Sequence, residues 1–357
     1  MRALTSWTII APALAWLLFA GALFGLNGPF LILVAFGLIG AVLAAVHHAE
    51  VVAHRIGEPY GTLVLALAVT LIEVALIVSL MISGGPEAMS LARDTVFAAV
   101  MIILNGIVGI CLLVGGMRHR EQSYGLEGVS ASLTTLTAIT VLTLILPNFT
   151  TSMAGPAYSP SQLAFIAVVS LVLYGTFVLV QTVRHRDYFL PTDAEGNEEA
   201  HAPPPLVKTA ALSGALLVAC LVVVVLLAKK LSPSIEALVA SAGAPKALVG
   251  IIIAGVVLLP EGIAALFAAR QNRLQTSLNL ALGSALASIG LTIPAVAIVS
   301  LYSGLTLTLG LDVKSTVLLM LSLFITAIAL RTGRTTILQG VVLLVIFAVY
   351  LFTTIIP

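Results

Sequence analysis

Charged residues make up only 9% of this 357-residue chain, whereas a water-soluble domain carries about 25%. That is too little ionisable surface to cover a globule, so a soluble fold is excluded. A formal net charge of +1 supplies neither the basic field that nucleic acid requires nor an acidic field for a cationic macromolecule. Cysteine is limited to Cys111 and Cys220, both inside apolar runs. They are expected to be buried small hydrophobes, with no disulfide between them.

What the chain has instead is apolar length, with 60% hydrophobic residues and a mean hydropathy of +1.17. Spanning helices need roughly 17–25 apolar residues. By that measure the chain divides into eleven segments, near 7–25, 30–53, 60–83, 95–116, 127–147, 162–183, 207–228, 235–268, 275–301, 313–330 and 335–356. Turn and charge signals mark the breaks, among them NGP at 27–29, GEP at 57–59, GGP at 84–86, RHRE at 118–121, RQNR at 270–273 and RTGR at 331–334. The first run follows Arg2 and has the outline of a signal peptide. It is long enough to span, and no polar domain follows it, so it is expected to stay as a first helix. The fold class is an all-α polytopic membrane protein.

Orientation follows from where the cations fall. With the N-terminus in the cytoplasm, eleven of the 16 Lys and Arg residues lie inside, and only Arg93, Lys229, Lys230, Lys246 and Lys314 lie outside. The C-terminus is then periplasmic, and the inner membrane of a bacterium is the expected location.

Two acids stand inside the most apolar stretches: Glu73 in GTLVLALAVTLIEVALIVSLM and Glu261 in ALVGIIIAGVVLLPEGIAALFAA. A carboxylate at bilayer depth costs at least about 2.5–3.5 kcal/mol, so each is expected to face a cavity, a partner or a cation. Their approaches match, since Glu50-x6-Gly57-x-Pro59 precedes Glu73 and Glu236-x6-Gly243-x-Pro245 precedes Glu261. This predicts an internal duplication: a helix over 1–28, a five-helix repeat over 29–184, an acidic linker over 185–206 and a second five-helix repeat over 207–357. An odd helix count inverts the second copy. Inverted repeats with a midplane site are a recurrent transporter architecture.

Hard cations want several oxygen ligands, carboxylates usually among them. Candidates beyond the two glutamates are Thr70, one turn before Glu73, Asn105 in MIILNGIVG, and Ser284 with Ser288 in LNLALGSALASIGLTIP. Each hydroxyl has a plain alternative, a bond to its own helix carbonyl four residues back. Asn105 must find partners wherever it is buried. Gly283 and Gly290 allow close backbone approach on the same helix. Pro260 removes a backbone donor and releases the carbonyl of Val256 beside Glu261. Desolvation disfavours an ionised carboxylate while a bound cation favours it, so protons and metal compete for the same oxygens. That competition is sufficient for antiport.

HHAEVVAH places His47, Glu50 and His54 on one helix face. A zinc enzyme is one reading, although His-Glu-x-x-His is absent and the second copy has no histidine there. A vestibule for cations and protons at Glu50 and Glu236, with His47 and His54 beside Glu50, is the other. The stretch RHRDYFLPTDAEGNEEAHAPPPLVK reads as a solvated linker, with cation sensing as its alternative.

At HAEVVAHRIGEPYGTLVLALAVTLIEVALI, ARDTVFAAVMIILNGIVG, GMRHREQ, YGTFVLVQTVRHRDYFL and LPEGIAALFAARQNRLQTSLNLALGSALASIGLTIP the sequence resembles the cation/Ca²⁺ exchanger superfamily, and in particular bacterial ChaA-type Ca²⁺/H⁺ antiporters. The resemblance implies that Glu73 and Glu261 bind the cation and exchange protons, and that Asn105, Ser284 and Ser288 add oxygen ligands. The family signature Gly-Asn-Ala-Thr/Ala-Glu reads AVTLIE and VLLPE here, with Thr70 and Leu258 at the Asn position. The family's later Gln falls on Ala287. The expected activity is Ca²⁺/H⁺ antiport without a resident cofactor, and the ChaA type implies Na⁺ or K⁺ exchange as well. Inorganic cations, protons and the lipid bilayer are the expected partners.

Overall fold

A computed structural model describes residues 6–26, 28–57, 60–84, 89–190, 205–243, 245, 247–304 and 306–356. Among them are eleven helices: α1 Ser6–Leu23, α2 Phe30–Ile56, α3 Tyr60–Gly84, α4 Leu91–His119, α5 Leu126–Phe149, α6 Pro160–Arg184, α7 Val207–Ser241, α8 Ala247–Arg270, α9 Leu274–Ser303, α10 Val313–Ala329 and α11 Ile337–Ile355. Two short strands, β1 Gln122–Ser123 and β2 Arg334–Thr335, pair antiparallel. Eight of the helices are long and apolar enough to cross a membrane; α1, α10 and the Thr70–Ile82 part of α3 are shorter apolar helices. Both cysteines are free and buried.

Local chemistry explains the helix boundaries. Ser159 and Gln162 form a reciprocal capping box on α6, with Pro160 in the first turn where its missing N–H costs nothing. Thr336 and Gln339 form the same box on α11, and the Asp312 side chain accepts from Ser315 N at the start of α10. Gly57 and Gly243 follow the ends of α2 and α7 with φ of 78° and 68°, a left-handed conformation that favours glycine. The sequence suggests a break after 228, at Lys229, Lys230 and Pro233, but α7 continues unbroken to Ser241. Residues 235–241 therefore belong to α7 and not to the eighth helix. A single proline removes only one backbone donor, and that is insufficient to end this helix.

The chain packs as two compact units, Met1–Leu80 with Glu195–Val249, and Met81–Ala194 with Gly250–Pro357. In the first unit α1 lies antiparallel to α2. Gly40 faces Ala11 and Gly37 faces Leu18, while His48 Nε2 lies 3.0 Å from the Thr8 carbonyl. α7 packs along α2, and Arg55 near the end of α2 donates to the Pro205 carbonyl just before α7, at 3.3 Å. α2 and α7 are therefore antiparallel.

In the second unit, hydrogen bonds show which helix ends lie together. At one end Gln122 Nε2 donates to the Ala269 carbonyl (2.9 Å) and to Asn272 Oδ1 (3.0 Å), and Gly125 N donates to Gln275 Oε1. Tyr124 Oη donates to the Leu330 carbonyl at 2.9 Å, and burial pushes its phenol above the ordinary value, so it stays a donor. At the other end the backbone of Leu309 and Gly310 donates to the Pro156 carbonyl, Asn148 to Leu311 and Arg93 to Gly310. α4 and α8 run in the same direction. A Cβ on Gly250 would lie 3.4 Å from the backbone of Asp94 and Thr95, and one on Gly262 would lie 3.2 Å from Ile107.

The tightest crossing joins α11 to α4, where a Cβ on Gly340 would overlap the Leu113 backbone nitrogen and approach the Gly109 carbonyl to 2.8 Å. Glycine at this position lets the two backbones touch, which is how membrane helices gain contact without a hydrophobic driving force. Gly340→Leu is expected to destabilise the protein by about 1–3 kcal/mol or more, the range for overpacking. Thermal unfolding in detergent checks this, and an unchanged midpoint would refute it.

Candidate cation site

α3 carries Thr70 and Glu73 one turn apart, each only 4% exposed. Both belong to the first unit. A buried acid beside a buried hydroxyl on one helix face is the arrangement expected of a hard-cation ligand pair.

The second unit contains Glu261, Asn105, Ser284 and Ser288. Glu261 is half-buried on α8, and the adjacent Gly262 packs on Ile107 of α4. This places the acid beside the stretch of α4 that carries Asn105. That stretch, Ile102–Ile107, is wound as a π-helix. Such bulges are rare and occur often at functional sites, because the extra residue turns a side chain away from its regular α-helical direction. Asn105 is fully buried. Its Nδ2 donates to Ser322 Oγ on α10 at 2.9 Å and approaches the Met101 carbonyl at 3.4 Å.

α9 packs against α4, with Ser288 buried and Ser284 half-buried. Gly290 is used as expected, since a Cβ there would lie 2.8 Å from Tyr174 of α6, and Ser170 donates to its carbonyl at 3.4 Å. Among the described residues, nothing lies within 4 Å of a Cβ placed on Gly283, and the close approach on α9 is seen at Gly290.

The vestibule candidates separate. Glu50 and His54 are exposed near the end of α2, and His47 is half-buried with its ring 5.9 Å from Trp7. Glu236 is exposed near the end of α7 and accepts from Ser232 Oγ at 2.9 Å. Because α2 and α7 are antiparallel, the two acids lie toward opposite ends of this helix pair. Among the described residues, no three His, Cys, Asp or Glu side chains are grouped to hold a metal ion.

Sequence reasoning missed Ser322 and His48. Ser322 is one of several hydroxyls in STVLLMLSLFITAIA, and nothing local distinguishes it. His48 is the fully buried member of the histidine run. Its bond to the Thr8 carbonyl shows why a ring is tolerated there: it ties α1 to α2.

Residues 28–183 and 212–356 match the sodium/calcium exchanger protein family, and the chain belongs to it. It is 53% identical over 331 residues to y4hA of Sinorhizobium fredii, named an ionic transporter, covering 92% of this chain and 89% of that one. It is 36% identical over 321 residues to the sodium-potassium/proton antiporter ChaA of Escherichia coli, covering 89% and 86%. The fold is also that of the H⁺/Ca²⁺ exchanger CAX, whose crystal structure superposes with a TM-score of 0.73 at 17% identity over 97% of this chain and 87% of that one. The family is one of transporters, so the zinc-enzyme reading of His47, Glu50 and His54 is set aside.

The opposed placement of Glu50 and Glu236 can be tested directly. Cysteines introduced as Glu50→Cys and Glu236→Cys are expected to react with a membrane-impermeant maleimide from opposite faces of sealed vesicles. Labelling of both from one face would contradict the antiparallel pairing.

Proposed function

We propose that the protein is a secondary-active cation/proton antiporter of the bacterial inner membrane, with Ca²⁺ as its first-choice cation and Glu73 and Glu261 as the groups for which cation and protons compete. The observation that carries this reading is the burial of Glu73 beside Thr70 on an apolar helix. No structural role accounts economically for an acid at that depth. Asn105, Ser284, Ser288 and Thr70 are the neutral oxygen ligands in this reading. Cations and protons are substrates, and no resident cofactor is invoked.

Two inverted repeats, over 29–184 and 207–357, fit the observations. The family match falls in two blocks that leave out 184–211, and α2 and α7 end in the same Gly-x-Pro element with left-handed glycines. Their antiparallel packing is what inversion requires. A periplasmic C-terminus is supported by the second unit, and a cytoplasmic N-terminus is part of the same reading. Of that unit's described Lys and Arg, Arg118, Arg120, Arg184, Arg186, Arg270, Arg273, Arg331 and Arg334 gather toward one end, with only Arg93 and Lys314 toward the other. Glu50 then serves the cytoplasmic entrance and Glu236 the periplasmic one, with His47 and His54 on the Glu50 side.

Na⁺ or K⁺ exchange on the same site is the second reading. Leu258 and Ala287 stand where oxygen ligands are expected, and fewer ligands favour a monovalent ion over Ca²⁺. The 36% identical relative is named for sodium and potassium. Uptake of Ca²⁺, Na⁺ and K⁺ into proteoliposomes with an imposed pH gradient separates the two readings. Flux that a proton gradient cannot drive uphill would indicate a channel.

Glu73→Gln and Glu261→Gln are each expected to abolish exchange while folded protein remains in the membrane. Glutamine keeps the volume but removes the titrating charge. Near-normal transport by either variant would sink the assignment.

The acidic linker 185–206 lies largely outside the described residues. Replacing its Asp193, Glu195, Glu198 and Glu199 with Ser is expected to leave the maximal rate within about twofold, as for a solvated segment. A several-fold loss of Ca²⁺ transport with Na⁺ transport intact would assign it a cation-sensing role instead.

A further inference from the structure

Ser322 lies on α10, a helix to which neither the acid positions nor the small-residue pattern draws attention. It is fully buried. Its Oγ lies 2.7 Å from the Leu318 carbonyl, 3.4 Å from Met101 Sδ and 2.9 Å from Asn105 Nδ2. The carbonyl is nearer and a stronger acceptor than the thioether, so the single hydroxyl proton goes to Leu318, and the serine presents lone pairs to Asn105.

That assignment fixes the amide. Three groups surround one end of the Asn105 side chain: Ser322 Oγ, the Met101 carbonyl at 3.4 Å and Met101 Sδ at 3.8 Å. All three accept, so the nitrogen must face them. Asn105 Oδ1 is thereby turned the other way, buried and without a hydrogen-bond partner among the described residues. A buried amide oxygen in that state is costly unless a donor or a cation satisfies it. It belongs to the π-wound segment on which Gly262, next to Glu261, packs at Ile107.

We propose that Ser322 is a positioning residue for cation exchange: acting as an acceptor from α10, it locks the Asn105 amide so that its oxygen is presented as a neutral cation ligand. The inference rests on the exchange reading given above. Ser322 touches no cation itself. It removes the flipped amide rotamer, in which the N–H₂ group would point at the cation and repel it. Its contribution is therefore to affinity, and the proton chemistry is left alone.

The test compares substitutions of one shape with and without the hydroxyl. Ser322→Thr keeps an acceptor bonded to the same carbonyl, and Ser322→Val does not. Binding of radiolabelled Ca²⁺ and Na⁺ to purified full-length protein is measured together with half-saturation, maximal rate and pH profile in proteoliposomes. The valine variant is expected to weaken cation binding about fivefold or more, the effect of losing one buried hydrogen bond. Its maximal rate and pH optimum should stay unchanged, and threonine should bind as the parent does. Asn105→Ala should weaken binding at least as much, and adding Ser322→Val to it should cause no further loss, because Ser322 then has nothing to position.

Equal binding by the Thr and Val variants, or a further loss in the double variant, would overturn the proposal. So would a shifted pH optimum, which would place Ser322 on the proton path. Parent protein that binds neither cation would remove the exchange reading, and this inference with it. Parent protein that binds normally, with both Ser322 variants unaltered, would remove this inference alone.

Discussion

Hydrocarbon cannot hydrate a polar group, and that constraint shapes each part of this molecule. Every donor or acceptor carried into the bilayer needs a partner from the protein or from the transported ion. His48 Nε2 is satisfied by the Thr8 carbonyl, and the Asn105 amide nitrogen by Ser322 and Met101. Thr143 turns back to the Ile139 carbonyl at 2.7 Å, a local bond within its own helix. Groups that the helices satisfy internally are structural. Glu73 and Asn105 are buried on apolar helices, which is what makes them informative.

The same constraint sends the loop chemistry to the helix ends. Outside the bilayer, side-chain bonds are free to tie elements together. Gln122, Tyr124 and Gln275 join the breaks after α4, α8 and α10, and Arg93 with Asn148 secures the opposite end. The middle of the second unit is then left to close backbone contact, as between Gly340 and α4.

Much of this was legible from residue order. Eleven apolar segments, the two acids and Asn105 stand out because hydropathy and charge are local properties, and the family resemblance follows from the same residues. The break misplaced at 229–234 shows the limit. Two lysines and a proline resemble a turn, yet helix continuity depends on what the neighbouring turns can tolerate, and that is not written at the proline. Ser322 was invisible for a related reason. Its significance comes from a residue 217 positions earlier, and a hydroxyl whose partner lies across the fold leaves no periodic trace. The choice of Gly290 over Gly283 for close packing was equally a matter of which neighbour lies opposite.

The length of α7 has a consequence for the lipid. Its 35 residues extend about 52 Å at 1.5 Å per residue, against a hydrocarbon thickness of about 30 Å. The excess must be taken up by tilting, by projecting the Lys229–Ser241 portion past the acyl chains, or by locally thickening the bilayer. Lys229 and Lys230 are placed to reach for headgroups as that portion emerges. Any change in the tilt of α7 relative to the bilayer normal therefore alters how much of it the acyl chains must cover. Acyl-chain length thereby bears on the tilt of this helix without touching an ion ligand.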